Sequence, residues 1–197
     1  MPAAYASGEK RSELVRAARE LLHQRGFHRT SLADVAELAR VPLGNVHYYF
    51  RTKERLAEAV IASHEAALRE RFELWSKKHA DPRRRLRELL RAPLDSSDSV
   101  IQFGCPHGSL CQELEKLSSR TPLAKAGARL ITVYVDWCTE QFQELGAKPR
   151  EAQALAQQLV SSMQGTMLLA HTMRSRALLA SQFRRIEVWL NAVGPKN

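Results

Sequence analysis

Between Phe103 and Cys111 the chain reads Phe-Gly-Cys-Pro-His-Gly-Ser-Leu-Cys, which sets two thiols and an imidazole in one short stretch. Cys105 stands just before an expected helix start and close to His107. Either neighbour lowers a thiol's pKa and raises its reactivity, the chemistry of an oxidant or electrophile sensor. The plain alternative is that the three cysteines are reduced and buried. Cys105 and His107 could also act as nucleophile and base, but no acid orients the imidazole, Asp95 and Asp98 being near only in sequence. Metal binding fares no better: Cys105, His107 and Cys111 offer three ligands, yet the intervening helix turns Cys111 away from Cys105. No phosphate-cradling glycine loop or carboxylate pair appears elsewhere. No catalytic residue, metal or cofactor is therefore assigned, and the chain is not expected to be an enzyme.

A second constellation lies nearer the front. Pro42-Leu43-Gly44-Asn45-Val46-His47-Tyr48-Tyr49-Phe50 reads as one short helix with Pro42 in its first turn, where the missing N–H costs nothing. Val46 and Phe50, four apart, face inward and leave Leu43, Asn45, His47, Tyr48 and Tyr49 as a polar and aromatic remainder. A merely solvated helix of this size carries Lys and Glu, whereas hydroxyls, an amide and an imidazole suit base edges and phosphates. Asn45 can read adenine through N6 and N7, and Leu43 can touch a thymine methyl or, alternatively, pack on Val46. Gly44 lets a backbone come close to a partner. The whole chain of 197 residues carries a net charge of +9, from 30 Lys and Arg against 21 Asp and Glu. That excess is densest over residues 1–55 and fits either a polyanionic partner or a solvated basic surface.

The elements that must position these residues are helical almost throughout, rich in Ala, Leu, Glu and Arg, with Gly and Pro between the periodic segments. About nine helices and no sheet are expected. The first runs from about Glu9 to Arg25 with Leu14, Ala18, Leu21 and Leu22 on one face and stops at Gly26. Ser31 caps the second, with Asp34 completing a near capping box, and it ends by Ala39. The Pro42 helix follows after a very short connection. Thr52 and Glu54 open a fourth helix reaching about His79, and Asp81-Pro82 a short basic one to about Arg91. Residues 92–106 read as one long irregular stretch, of the kind often functional. Further helices are expected near His107–Ser118, from Thr121-Pro122 to about Leu145, over Arg150–Met173 and over Ala177–Val193.

Two short helices joined by a tight turn, with a third close by, describe a helix-turn-helix. The residues from Leu14 to Leu56 resemble the DNA-binding domain of TetR-type (tetracycline-repressor-like) transcriptional regulators. The resemblance rests on Ala17-Ala18, Gly26-Phe27, Thr30-Ser31, Val35-Ala36, Gly44 through Phe50, and Thr52-Lys53-Glu54. Arg40 departs from it, standing where the family commonly has Gly in the turn; His47 and Tyr49 replace the usual Tyr and His. The resemblance implies an all-α protein, with a three-helix DNA-binding domain over residues 1–55 and a helical ligand-sensing and dimerisation domain over 56–197. It implies a double-stranded, palindromic DNA operator as partner, a small-molecule effector, and a homodimer acting most often as a repressor. By resemblance, Pro42, Leu43, Gly44 and Asn45 lie at base edges, and His47, Tyr48, Tyr49, Thr30, Ser31 and Lys53 at phosphates.

In the remainder, Leu155, Leu159, Met163 and Met167 recur every fourth residue, and Leu179, Phe183, Ile186, Leu190 and Val193 follow at spacings of 4, 3, 4 and 3. Such stripes usually mean core, but the resemblance implies a four-helix dimer seam here, on Leu155, Leu159, Met163, Leu179, Phe183, Ile186 and Leu190. A pocket needs apolar and aromatic walls with a few polar anchors. The candidates are Phe103, Cys105, His107, Tyr134, Trp137, Gln164, Met167 and His171, with ordinary core as the alternative for each. The longest uncharged stretch, Ala152–Met173, holds too many Gln, Ser and Thr to cross a membrane. With no apolar segment behind the basic start, the chain reads as cytoplasmic and free of a membrane partner.

Overall fold

The computed structural model describes residues 3–117 and 121–193. Among them ten helices follow one another: α1 (Ala3–Arg25), α2 (Leu32–Leu38), α3 (Leu43–Tyr49), α4 (Lys53–Lys78), α5 (Pro82–Asp95), α6 (Ser97–Phe103), α7 (Pro106–Leu117), α8 (Pro122–Glu144), α9 (Pro149–Thr172) and α10 (Arg176–Ala192). No strand is present among the described residues. The expected end of α7 at Ser118 lies outside the described residues.

The stretch read as irregular is the main departure. Helix α5 continues through Pro93 to Asp95, and Ser97 opens α6 after a break at Ser96. A proline inside a helix removes one backbone bond and strains one turn without ending the helix where packing holds it. Here Leu89 and Leu90 before the proline and Val100 after it are all buried in one core. In this stretch non-helical backbone is confined to Ser96 and to the neighbourhood of Gly104, at φ 79°, and Cys105. At α3 the difference is one residue: Pro42 is the N-cap, and the first turn begins at Leu43.

Two compact units form. The first takes the described residues up to Ala66 together with Ser109–Leu130, and the second Ala67–Gly108 with the described residues from Ile131 onward. This partition differs from a division after residue 55 because distant helices share a core. Leu14, Ala18 and Leu21 of α1 pack with Val35 of α2, Val46 of α3, Val60 of α4, Leu114 of α7 and Leu130 of α8. Helices α4, α7 and α8 thus contribute residues to both units.

In the second unit, Leu159, Met163, Leu179, Phe183, Ile186 and Leu190 are at most 8% exposed and Leu155 is half-buried, all in one core with Phe142 and Leu86. The expectation that these seven form a dimer seam is corrected: they are the chain's own interior. A helix in a bundle spends its strongest apolar stripe on its own core. Polar tethers fix the bundle's ends. Arg83 of α5 donates to the carbonyls of Leu190 and Val193 at the end of α10, 2.8 Å to the latter. Arg85 donates to the His79 carbonyl at 2.8 Å and to Gln141 and Glu144 of α8 at 3.0 and 2.8 Å. No helix among the described residues is long and apolar enough to cross a membrane.

Candidate nucleic-acid interface and ligand cavity

In the first unit, local bonds fix both ends of α2. Ser31 Oγ accepts the Asp34 N–H at 3.1 Å, and the Asp34 carboxylate accepts the Ser31 N–H at 2.7 Å and its hydroxyl at 2.6 Å, a complete capping box. Those bonds, with Arg25 nearby, hold the Asp34 carboxyl below its ordinary range. At the other end of α2, Val41 N–H reaches the Ala36 carbonyl and Arg40 N–H the Glu37 carbonyl, each at 3.0 Å, the two bonds of a Schellman turn. The residue in the left-handed position of that turn is Arg40, at φ 56°. The chain then enters α3 at Pro42, with Val46 and Phe50 buried beneath it.

What α3 leaves outside is the expected set. Pro42, Leu43, Gly44, His47 and Tyr48 are exposed, Asn45 and Tyr49 half-buried. Leu43 is 42% exposed and Tyr48 79%, so Leu43 is a surface group rather than a core one. A Cβ at Gly44 would meet nothing within 4 Å, which leaves its backbone open to a partner. Tyr48 stands edge to face against Tyr49, ring centres 4.9 Å apart.

Three of the expected phosphate contacts are otherwise engaged, Ser31 by the Asp34 capping box. Thr30 is 3% exposed and its hydroxyl donates to the Gly26 carbonyl at 2.8 Å, closing the turn after α1. The Lys53 ammonium donates to the carbonyls of Phe27 at 2.9 Å and His28 at 3.4 Å and lies 4.4 Å from the centre of the Phe27 ring. A cation at the start of α4 opposes the helix dipole; the carbonyls of the turn after α1 compensate it. The reading by residue type missed two exposed cations that flank α3 directly, Arg40 and Arg51. Their position in the chain was the available signal.

Helix α7 enters the first unit with its Glu113 carboxylate on the Phe27 N–H, over the turn where Gly26 sits at φ 82°. At that φ an L side chain is strained, and the carboxylate fills the space a Cβ would need.

The second unit holds a cavity of about 110 Å³. Its walls include Phe72 and Trp75 of α4, Leu89 and Pro93 of α5, Val100 of α6, Tyr134 of α8, and Val160, Met163 and Met167 of α9. Five of the expected ligand residues line it: Cys105, His107, Tyr134, Gln164 and Met167. Three do not. Phe103 is absent from its walls, Trp137 stacks on Phe72 at 4.3 Å and lines an open groove instead, and the His171 imidazole meets the Ile101 carbonyl at 3.1 Å. With Arg174, which donates to the carbonyls of Ile101 and Gln102 at 2.8 Å, His171 caps the end of α6. Gln164 and His171 share a helix face, as their spacing requires, but serve different ends. Met163, expected in a dimer seam, is a cavity wall.

Cys105 is the N-cap of α7, its sulfur accepting the Gly108 N–H at 3.4 Å. His107 Nδ1 and the Tyr134 hydroxyl are 2.9 Å apart, and burial pushes the Tyr134 hydroxyl's pKa well up. Cys111 belongs to the first unit, where burial and the Glu115 carboxylate raise its thiol. Cys138 is fully buried and raised further by desolvation. Neither is a reactive thiol by environment.

Residues 14–60 match the profile of the family described as "Bacterial regulatory proteins, tetR family", and residues 84–184 that of "Transcriptional regulator LmrA/YxaF-like, C-terminal domain". An uncharacterized HTH-type transcriptional regulator of Lactococcus lactis is 25% identical over 94% of this chain and 95% of its own. The Escherichia coli HTH-type transcriptional repressor NemR is 31% identical over 103 residues, 52% of this chain and 48% of that protein. The crystal structure of a TetR transcriptional regulator from Legionella pneumophila superposes with a TM-score of 0.81 at 19% identity, over 90% of this chain and 95% of that one. The C-terminal match alone covers more than half of the sequence, and the front match falls on the capped helices that expose α3: the chain belongs to the TetR family of DNA-binding transcriptional regulators.

Proposed function

We propose that this regulator is a homodimeric repressor whose α3 enters the major groove of a palindromic operator, and that a small molecule in the second unit's cavity releases it. The observation that carries the DNA reading is α3 itself. Seven residues, capped at Pro42 and anchored by Val46 and Phe50, present Leu43, Gly44, Asn45 and Tyr48 outward. Asn45 is assigned to a base edge, and His47, Tyr48 and Tyr49 to phosphates, joined by Arg40 and Arg51. Ser31 is assigned to the cap of α2 rather than to a phosphate, and Thr30 and Lys53 shape the turn that precedes it. Repression as the sign of control is supported by relatives named as repressors, NemR among them.

The dimer reading moves to the opposite face of α9 and α10. Ala154, Gln158, Ser161, Gly165, Leu168 and Thr172 recur at spacings of 4 and 3 along α9 and are all exposed. Leu168, Leu169, Met173 and Val188 are each more than half exposed, and no charge interrupts the sequence between Glu151 and Arg174. Such a face suits a second copy of the chain in a twofold seam. For release, α7 is the natural carrier: His107 stands in its first turn at the cavity, and Glu113 further along holds the Phe27 N–H. A ligand that favours one setting of α7 shifts the population of DNA-competent heads.

Selection of bound duplexes from a random library at physiological salt tests the DNA reading. Enrichment of a palindrome by the full chain, lost in Asn45→Ala, is the expected result. No enrichment, or the same palindrome from the variant, overturns base reading by α3.

A further inference from the structure

We infer that the cavity of the second unit takes an uncharged molecule of one aromatic ring bearing a hydroxyl or carbonyl group. This rests on reading the cavity as the effector site and adds the chemistry of its occupant. Size comes first. A dry cavity of about 150 Å³ lined by aliphatic and aromatic groups accepts benzene, and this one, at about 110 Å³, is of that order. Its aromatic and thioether walls, from Phe72, Trp75, Met163 and Met167, suit the faces and edges of a ring.

Charge comes next. No Asp or Glu is among the residues lining the cavity, so a buried cation would find no counter-charge. The lining cation, Arg71, is an exposed residue. An anion inside would find one cation to pair with, Arg71, whose exposed head keeps its own hydration, and would still retain most of its desolvation cost. An uncharged ligand escapes both penalties.

Polarity fixes the substituent. Gln164 lines the cavity, and among the described residues its amide has no hydrogen-bond partner. It lies against the first turn of α7, where a Cβ on Gly108 would meet Gln164 Oε1 at 2.6 Å and Cys105 Cβ at 3.6 Å. The amide thus stands beside Cys105 and the His107–Tyr134 pair with both a donor and an acceptor uncommitted. A ligand hydroxyl or carbonyl there completes the set, and a bare hydrocarbon leaves it incomplete.

Calorimetric titration of the full chain with phenol, toluene, benzoate and benzylammonium decides the matter. Phenol is expected to bind saturably, about tenfold more tightly than each of the other three. In Gln164→Leu the advantage of phenol over toluene should largely vanish while toluene binding persists, which also shows that the cavity is still formed. Met163→Trp, which fills the cavity, should abolish binding of both. The inference is overturned if phenol fails to saturate, if benzoate or benzylammonium matches it, if Gln164→Leu leaves the phenol-to-toluene ratio unchanged, or if Met163→Trp still binds. A parallel titration on operator-bound protein separates the two readings: phenol binding without release upholds the ligand class and refutes control by release.

Discussion

Arg40 occupies a left-handed backbone position at φ 56°, which costs an L side chain about 1–2 kcal/mol that glycine does not incur. Glycine gives back about 0.5–1 kcal/mol through its freer unfolded chain. Arg40→Gly is therefore expected to raise stability by roughly 0.5–1 kcal/mol, as a higher urea midpoint at unchanged slope. An unchanged or lower midpoint would show that the guanidinium stabilises the fold. Since the arginine flanks α3, the same variant should lose operator affinity most at low salt. Much at this scale was legible: Ser31 with Asp34 announced the cap, and Val46 with Phe50 the buried side of α3. Thr30 and Lys53 were not, because a hydroxyl or ammonium that serves a neighbouring carbonyl has the same one-letter code as one that serves a phosphate. Only the turn after Gly26, assembled in three dimensions, tells them apart.

Among the elements, α7 joins the most distant demands, with Cys105 capping it, His107 at the cavity and Glu113 on the Phe27 N–H. Glu113→Gln keeps an acceptor but loses its charge, and is expected to cost about 1 kcal/mol of stability. If α7 carries the signal, the variant should shift effector affinity and the effector concentration needed to leave the operator together, because the two are linked. A titration in which neither shifts removes α7 from the pathway. The sequence foretold where α7 starts but misjudged the stretch before it. Pro93, Ser96 and Gly104 carry the composition of a loop, whereas buried Leu89, Leu90 and Val100 hold helical turns on both sides of the break. Tertiary burial outweighed local preference. The stripes on α9 and α10 reported core, as such stripes usually do; it was the resemblance that placed a seam on them, since periodicity reports burial without saying against what. The exposed, uncharged face of α9 proposed for a partner holds Ala, Ser, Gly and Gln beside Leu168, types that raise no periodic signal.

For the whole molecule, Leu168 is 57% exposed in the single chain, so its replacement by Glu should leave each chain folded, read as an unchanged far-UV circular dichroism spectrum. If the proposed dimer uses this face of α9, the charge faces its own copy, and Leu168→Glu is expected to halve the sedimenting mass. A variant that remains dimeric would place the seam elsewhere. The shortness of α3 then acquires a meaning in terms of search statistics. Seven residues with three or four outward side chains distinguish about four base pairs. A word of that length recurs by chance about every 256 positions, against the ~10⁶ or more competing sites of a genome. One head alone would be titrated away by coincidental matches. Two heads held at a fixed separation multiply their odds, so that the monomeric variant should still adhere to DNA while losing its address.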